Sequence, residues 1–394
     1  MAESTLKGFA GLRNDVSSDR FEAGDLEAAV NVDIDDSGKL SRRDGYLSKL
    51  AGNIHSLWSN GTLCLFVSNG EMKRLNDDYT ATVLRTGLSN ERMAYVEVNG
   101  RVYFSNGVDT GIVDNGNVRT WGIVPPMLPL ATQAGGNLPE GIYQYALTYV
   151  REDGQESGTG LAGRIDATGG IAFSSIPVSG DPGVTHKILY VTEQNGEVLY
   201  RAKVLANDAT SYTWTGGILS IPLATQYLEQ APAGEIVTYH YGTMYVVQDD
   251  RVFYSSPFGY ELFDPNGFLP FDSQVQIFAP VEGGIWVGTQ TAIYWLDGVD
   301  ADKLQKITRA RVGNVKGTLA YINNDRLPES NFNQPDSLIA LWWSDEGVCA
   351  GYSGGSLNKL TNKRYQPGIE GVSGTGIVRK SSNKSFQYLA IINH

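Results

Sequence analysis

The residues best placed to hold a metal lie in one twelve-residue run, Asp33 to Asp44, with the sequence DIDDSGKLSRRD. Counted from Asp33, oxygen donors fall at positions 1, 3, 5, 9 and 12, with Gly38 at position 6. That spacing approaches an EF-hand calcium loop, in which a glycine makes the sharp turn and a bidentate glutamate closes the shell. Here Asp44 stands where the glutamate would, Ser37 replaces a carboxylate, and no long helix is expected downstream. The competing account is a hairpin with Asp35-Asp36-Ser37-Gly38 as its turn, and the residue types favour it. No metal and no cofactor is expected. The four histidines, at 55, 186, 240 and 394, show no HExxH spacing, and there is neither a GxSxG elbow nor a Walker A loop. Glycoside hydrolysis uses two or three acids, and the sequence offers the adjacent carboxylates Asp77-Asp78 and Asp249-Asp250 without placing any across a ring. Each pair sits at a predicted turn, where Asp bonds its own backbone. The chain is expected not to be an enzyme.

Two other segments carry contact chemistry. Ser255 to Asp272, SSPFGYELFDPNGFLPFD, holds Phe258, Tyr260, Phe263, Phe268 and Phe271, while Pro257, Pro265 and Pro270 argue against a regular strand or helix. So many aromatics either fold back onto their own sheet or meet another subunit. Asn324 to Ser337 is a polar loop in which Asn331 and Phe332 are candidate contact residues. Trp342-Trp343 is expected to be core rather than a sugar platform.

The elements that must position these residues are hairpins. Met93 to Gly107, MAYVEVNGRVYFSNG, has two short strands joined by Asn99-Gly100, a pair suited to the two positive φ angles of a type I′ turn. The phrase returns at His240–Ser256, where Arg251-Val252-Phe253-Tyr254-Ser255 aligns with Arg101-Val102-Tyr103-Phe104-Ser105. Looser echoes follow at Gly283–Gly298 and Glu346–Thr361. Seven Asn-Gly and three Asp-Gly pairs punctuate β-branched and aromatic runs, which points to an all-β protein. A hairpin repeated at intervals is the mark of a repeat architecture, here a β-propeller of about five to six blades.

Residues 1–50 form an N-terminal arm, with one or two helical turns expected over Asp25–Asn31 and a hairpin over Val32–Ile34 and Lys39–Ser41. Residues 51–130 supply the first blades, two four-stranded units lying between Ile54 and Ile123. The rhythm breaks at Pro125-Pro126-Met127-Leu128-Pro129. Residues 131–232 have longer alternating strands, roughly seven, which suggests an inserted β-sandwich of fibronectin-III or immunoglobulin type. Residues 233–394 return to the propeller. Tyr388–Asn393 is expected to close the ring beside N-terminal residues, so that deleting Tyr388–His394 destabilises the whole ring.

The chain has 394 residues, a formal charge of −12 and two cysteines. Cys64 and Cys349 lie in apolar runs and are expected to be buried free thiols in a reducing cytoplasm. The opening residues do not resemble a signal peptide, no apolar run is long enough to span a bilayer, and a soluble, non-secreted protein is expected. An acidic surface repels phosphate, which argues against specific nucleic-acid binding but suits a channel through which DNA slides.

Two passages resemble a known family. Gly11-Leu12-Arg13-Asn14, then Leu26, Ala29, Asn31 to Asp35, Gly38, Leu40, Arg43 and Gly45, are similar to the N-terminal signature of short-tailed phage tail proteins. Arg251 to Pro265, RVFYSSPFGYELFDP, resembles a blade of the same proteins. The family is the packaged-DNA stabilisation or tail nozzle (hub) protein. The resemblance implies a propeller subunit, around six copies of which form a closed ring below the portal and adaptor. It further implies that the ring retains packaged DNA, conducts it at ejection and mounts a needle, fibre or spike. Assembly would take place in the host cytoplasm and residence in the virion tail. The N-terminal motif residues it singles out are Asn31, Asp33, Asp35, Gly38 and Arg43. The alternative is a carbohydrate- or receptor-binding, or depolymerising, propeller of the tail.

Overall fold

The computed structural model describes residues 8–35, 37–43, 45–326, 337–361, 364–366, 371–380 and 386–393. At Asn69-Gly70, Asn99-Gly100 and Asn115-Gly116 both turn residues have positive φ, so the strands on either side fold directly back on one another. Repetition of this local event builds the molecule.

In the arm, β1 (Gly11–Leu12) pairs in parallel with β2 (Asp25–Leu26), and β3 (Val32–Ile34) forms a hairpin with β4 (Leu40–Arg42). Blade 1 comprises β5 (Ile54–Ser59), β6 (Cys64–Ser68), β7 (Glu71–Leu75) and β8 (Ala81–Arg85). Blade 2 comprises β9 (Ala94–Val98), β10 (Arg101–Ser105), β11 (Thr110–Asp114) and β12 (Asn117–Arg119). The insert follows: β13 (Leu130–Arg151), β14 (Gly163–Ser174), β15 (Val184–Thr192), β16 (Leu199–Ala206) and β17 (Tyr212–Trp214). Blade 3 has β18 (Ile236–His240), β19 (Thr243–Gln248), β20 (Arg251–Ser256) and β21 (Gly259–Pro270). Blade 4 has β22 (Val275–Val281), β23 (Gly284–Thr289), β24 (Ile293–Asp297) and β25 (Gln305–Ala310). Blade 5 has β26 (Ala320–Asn323), β27 (Leu338–Ser344), β28 (Gly347–Gly351) and β29 (Leu357–Lys359), and the sixth unit is the hairpin β30 (Ser373–Lys380) and β31 (Phe386–Asn393).

Each blade is an antiparallel meander bonded in sequence order. The blades are buried on both faces, and strand alternation explains how. On β10, Val102 and Phe104 pack toward blade 1 while Tyr103 packs toward blade 3. On β19, Met244 and Val246 face blade 2 while Tyr245 and Val247 face blade 4. On β23, Ile285 and Val287 face blade 3 while Trp286 faces blade 5. The first strands β9, β18 and β22 neighbour one another in turn, and β26 neighbours β30. Sequential blades stacked face to face around their first strands make a β-propeller.

The insert forms one hydrogen-bonded sheet of five strands, in the order β16-β15-β13-β14-β17. Only residues 207–211 join its two edge strands, which would lie about 19 Å apart in a flat sheet. The sheet therefore curls, helped by register shifts between Ala134 and Gly141. Leu205 of one edge and Trp214 of the other share a core with Tyr143, Tyr145, Leu189 and Val191. The expected two-sheet sandwich of about seven strands is corrected to one curled sheet of five, with a second apolar cluster of Ala146, Val150, Ile188, Tyr190 and Leu199 apart from that core.

Three local expectations are corrected. Residues Asp25–Asn31 contain the strand β2 rather than helix, and Asn31 has a φ of 58°. The segment after Ser256 is strand β21 despite Pro265 and Pro270. It is the outermost strand of its blade and is bulged, where a missing N–H costs no ladder bond. Finally, β31 pairs only with β30 among the described strands, so Tyr388–Asn393 does not close the ring by strand pairing.

Candidate functional site

The arm is held by its own short-range chemistry. Asp35 accepts bonds from the Ser37 hydroxyl (2.5 Å) and from the Ser37 and Lys39 N–H groups (both 2.9 Å). Those donors, the Ser37 hydroxyl first, hold its carboxyl below the usual range. Gly38, at φ 78°, lies so close to Phe9 that a Cβ would sit 3.0 Å from the Phe9 nitrogen. The Phe9 N–H donates to the Gly38 carbonyl at 2.7 Å. The Arg43 N–H donates to the Asn31 carbonyl, and the Arg43 guanidinium pairs with Asp33 at 3.1 Å. Asp33 also takes Arg379 of β30 at 2.6 Å. The hairpin account of Asp33–Asp44 thus fits the geometry, with Asp33 and Asp35 occupied by cations and turn donors. Asp36 and Asp44 lie outside the described residues, and no cluster of metal-ligating side chains occurs among the described ones.

The arm is tied to the end of the chain by side chains and one backbone bond. Asn14 grips the backbone of Gln366 in both directions at 2.7 Å, and its N–H donates to the Arg364 carbonyl. Asp25, almost wholly buried, pairs with Arg13 at 2.8 Å and Arg364 at 3.1 Å. With Asp33–Arg379 these contacts strap the first forty residues to the last blades. Arg364 and Arg379 carry no signal in the sequence, because their partners are more than three hundred positions away.

Four of the five predicted contact aromatics fold back. Tyr260, Phe263 and Phe271 are buried and Phe268 packs beside them. Phe258 alone is presented to solvent, 77% exposed at a φ of 58°. Replacing Phe258 with serine is expected to move stability by less than about 0.5 kcal/mol, whereas Phe263→Ala costs about 3–5 kcal/mol. Urea midpoints of the two variants check this. Asn331 and Phe332 lie outside the described residues. Trp342 is fully buried and Trp343 half-buried. Both cysteines are free, Cys349 buried and Cys64 half-buried.

The insert is fixed to the propeller through a network that sequence reasoning missed. Arg151 of β13 is 2% exposed and bonds Asp181 (2.6 Å), Gln155 (2.5 Å), and the Thr120 hydroxyl (2.6 Å) beside blade 2. Arg101 and Arg119 of blade 2 both reach Asp153 of the insert, at 3.2 and 2.8 Å. Glu229 and Phe263 exchange backbone bonds at 2.8 and 2.9 Å. Gly158 approaches Leu228 so closely that a Cβ would sit 1.6 Å from its carbonyl oxygen. Beside this junction lies a cleft of about 790 Å³ lined by Pro125, Pro126, Met127, Val178 and Pro182.

His240 is buried against Tyr241 and its Nε2 has no partner among the described residues. Burial lowers it from 6.5 to about 4. Its contribution to stability is complete above pH 6.5 and is lost as the pH falls toward 4, because the unfolded chain takes up the proton first. A loss of about 1–3 kcal/mol is expected over that window, and His240→Phe should flatten it. Urea titrations of both proteins between pH 8 and 4.5 read the difference directly.

No protein-family model matches the sequence, and no curated protein matches it. Solved structures similar to the chain include virginiamycin B lyase from Staphylococcus aureus, at 10% identity and a TM-score of 0.31, covering 86% of this chain and 95% of that one. BamB from Moraxella catarrhalis is similar at 9% identity and 0.31, covering 86% and 84%. The extracellular domain of a one-component system from B. thetaiotaomicron is similar at 10% identity and 0.29, and there the chain spans 38% of the other's length. Likeness of this degree carries nothing about activity. Among the described residues no helix is long and apolar enough to cross a membrane.

Proposed function

We propose that this chain is the nozzle subunit of a short-tailed phage tail. About six copies would form a ring below the portal and adaptor that retains packaged DNA and conducts it at ejection. The observation that carries the proposal is the role of the N-terminal motif. Asn31, Asp33, Asp35, Gly38 and Arg43, through which the sequence resembles that family, all serve one task, folding an arm that straps the start of the chain to its last blades. A subunit strapped at its seam and carrying a rigidly docked insert suits a structural role in the virion, with no catalytic step. Its charge of −12 suits a wall that DNA slides past without adhering.

The test is to assemble particles without this protein, image them by cryo-electron microscopy and assay retained DNA. Heads that package but leak, with tails ending below the adaptor, are the expected result. DNA-filled particles with complete tails that fail only to adsorb would overturn the nozzle reading in favour of receptor binding.

A further inference from the structure

We propose that the outer edge of blade 4 docks the N-terminal arm of a second copy of this chain, an inference that rests on the ring-forming reading above. Residues 303–324 contain five cations and no acid, in a chain whose net charge is −12. Residues 14–36 are the opposite, with eight acids and one cation. The strand β25 is the outermost of its blade, so one edge of its backbone is unpaired, and Gln305 to Arg309 are all exposed. Lys303 is already paired with Asp300, and Lys316 with Glu235. Lys306 lies over the rings of Phe271 and Tyr294. Arg309 and Arg311 have no carboxylate partner among the described residues. Arg309 is also the extra residue of a bulge between β24 and β25, which turns its side chain out of the ladder's register.

The arm offers the complement. Asp25 and Asp33 are taken by arginines of their own chain, whereas Asp19 and Glu27 are exposed and Glu22, also exposed, reaches Arg13 only at 3.7 Å. The arm also presents Val30 at 84% exposure, Tyr46 at 94% and Leu47 at 81%, and β25 presents Ile307. Within one chain the arm is engaged elsewhere. The arm docks on Arg364–Gln366 and Arg379, beyond blade 5, while β25 belongs to blade 4. A contact between different patches on successive copies is heterologous, the kind that closes into a ring when the rotation permits. Opposite charge on the two patches sets orientation and speeds encounter, and apolar residues beside the charges supply contact area.

Sedimentation velocity on the full chain at low and high salt tests the proposal. Wild-type protein is expected to associate at low salt and to dissociate as salt rises. R309E/R311E should weaken association at least about tenfold, as should D19K/E22K/E27K, and combining the two sets should restore it. All of these positions are exposed, so unchanged melting curves certify the fold. A monomeric wild-type chain, or association indifferent to either charge reversal, overturns the inference. So does double-stranded DNA binding by the monomer that R309E/R311E abolishes, since the edge would then be a phosphate contact. The nozzle reading fails separately, through particles that keep their DNA without this chain. Leaky particles together with association insensitive to charge would overturn the docking surface alone.

Discussion

Arg151→Ala is expected to cost about 3–5 kcal/mol and to loosen the insert from the propeller. The guanidinium is buried, and its fork reaches Asp181 through two nitrogens at 2.6 and 3.1 Å. It also bonds the side chains of Gln155 and Thr120 and lies 3.3 Å from the Gly122 carbonyl. Removing it leaves the Asp181 carboxylate with the Gly183 N–H but without its cation, and a largely buried charge that loses its counter-ion is penalised more heavily than the pair was worth. Lysine should rescue little, because a point charge on a flexible stem cannot span three acceptors at once. Thermal unfolding gives the loss of stability. Limited proteolysis gives its location, since new cleavage is expected in the stretch from Gly122 to Pro129 that leads into the insert. Melting and cleavage patterns matching wild type would show that Arg101, Arg119 and the Glu229–Phe263 bonds suffice to hold the junction.

Trp342→Ala should be comparably damaging, at about 3–5 kcal/mol. The indole is fully buried between blades 4 and 5, with its centroid 6.0 Å from that of Trp286, which in turn lies 5.1 Å from Trp295. Its Nε1 donates at 2.7 Å to Asn314. The Asn314 amide in turn donates to the carbonyls of Thr289, Ala292 and Val312 at 2.7, 3.1 and 3.1 Å. The alanine variant therefore opens a cavity and also orphans one end of a buried amide that ties two blades together. Trp342→Phe separates the two effects, since it fills much of the volume while still leaving the Asn314 oxygen unpaired, at about 1–3 kcal/mol. Guanidinium midpoints rank the two variants, and equal midpoints would show that the hydrogen bond rather than the volume dominates. A saccharide-stacking role for this tryptophan is excluded by its burial.

Much of the architecture was legible in the residues because hairpins are local. Alternation with a period of two and the positive φ that Asn-Gly tolerates are settled within a few positions. The two four-stranded units expected between Ile54 and Ile123 therefore appear as blades 1 and 2, and the hairpin expected over Val32–Ile34 and Lys39–Ser41 as β3 and β4. The return of the β9–β10 phrase at β19–β20 reflects the same local chemistry in a second blade. Contact chemistry was legible only in part. The aromatics of Ser255–Asp272 announced an unusual segment, but whether they face solvent or core depends on β21 being an edge strand packed between blades. The prolines that argued against a strand are harmless at an edge and would have broken a central strand. Asp25 and Asp33 were visible as acids in a turn-rich arm. Their assignment to Arg364 and Arg379 was not, because nothing local links residues separated by most of the chain. The burial of Arg151 and the curl that brings Leu205 and Trp214 into one core belong to the same class. Turn chemistry and strand period by themselves determined the hairpins, since both act within a few bonds; the tertiary structure decided closure, docking and exposure, since desolvating a charge or an aromatic depends on surfaces that meet only once the ring has formed.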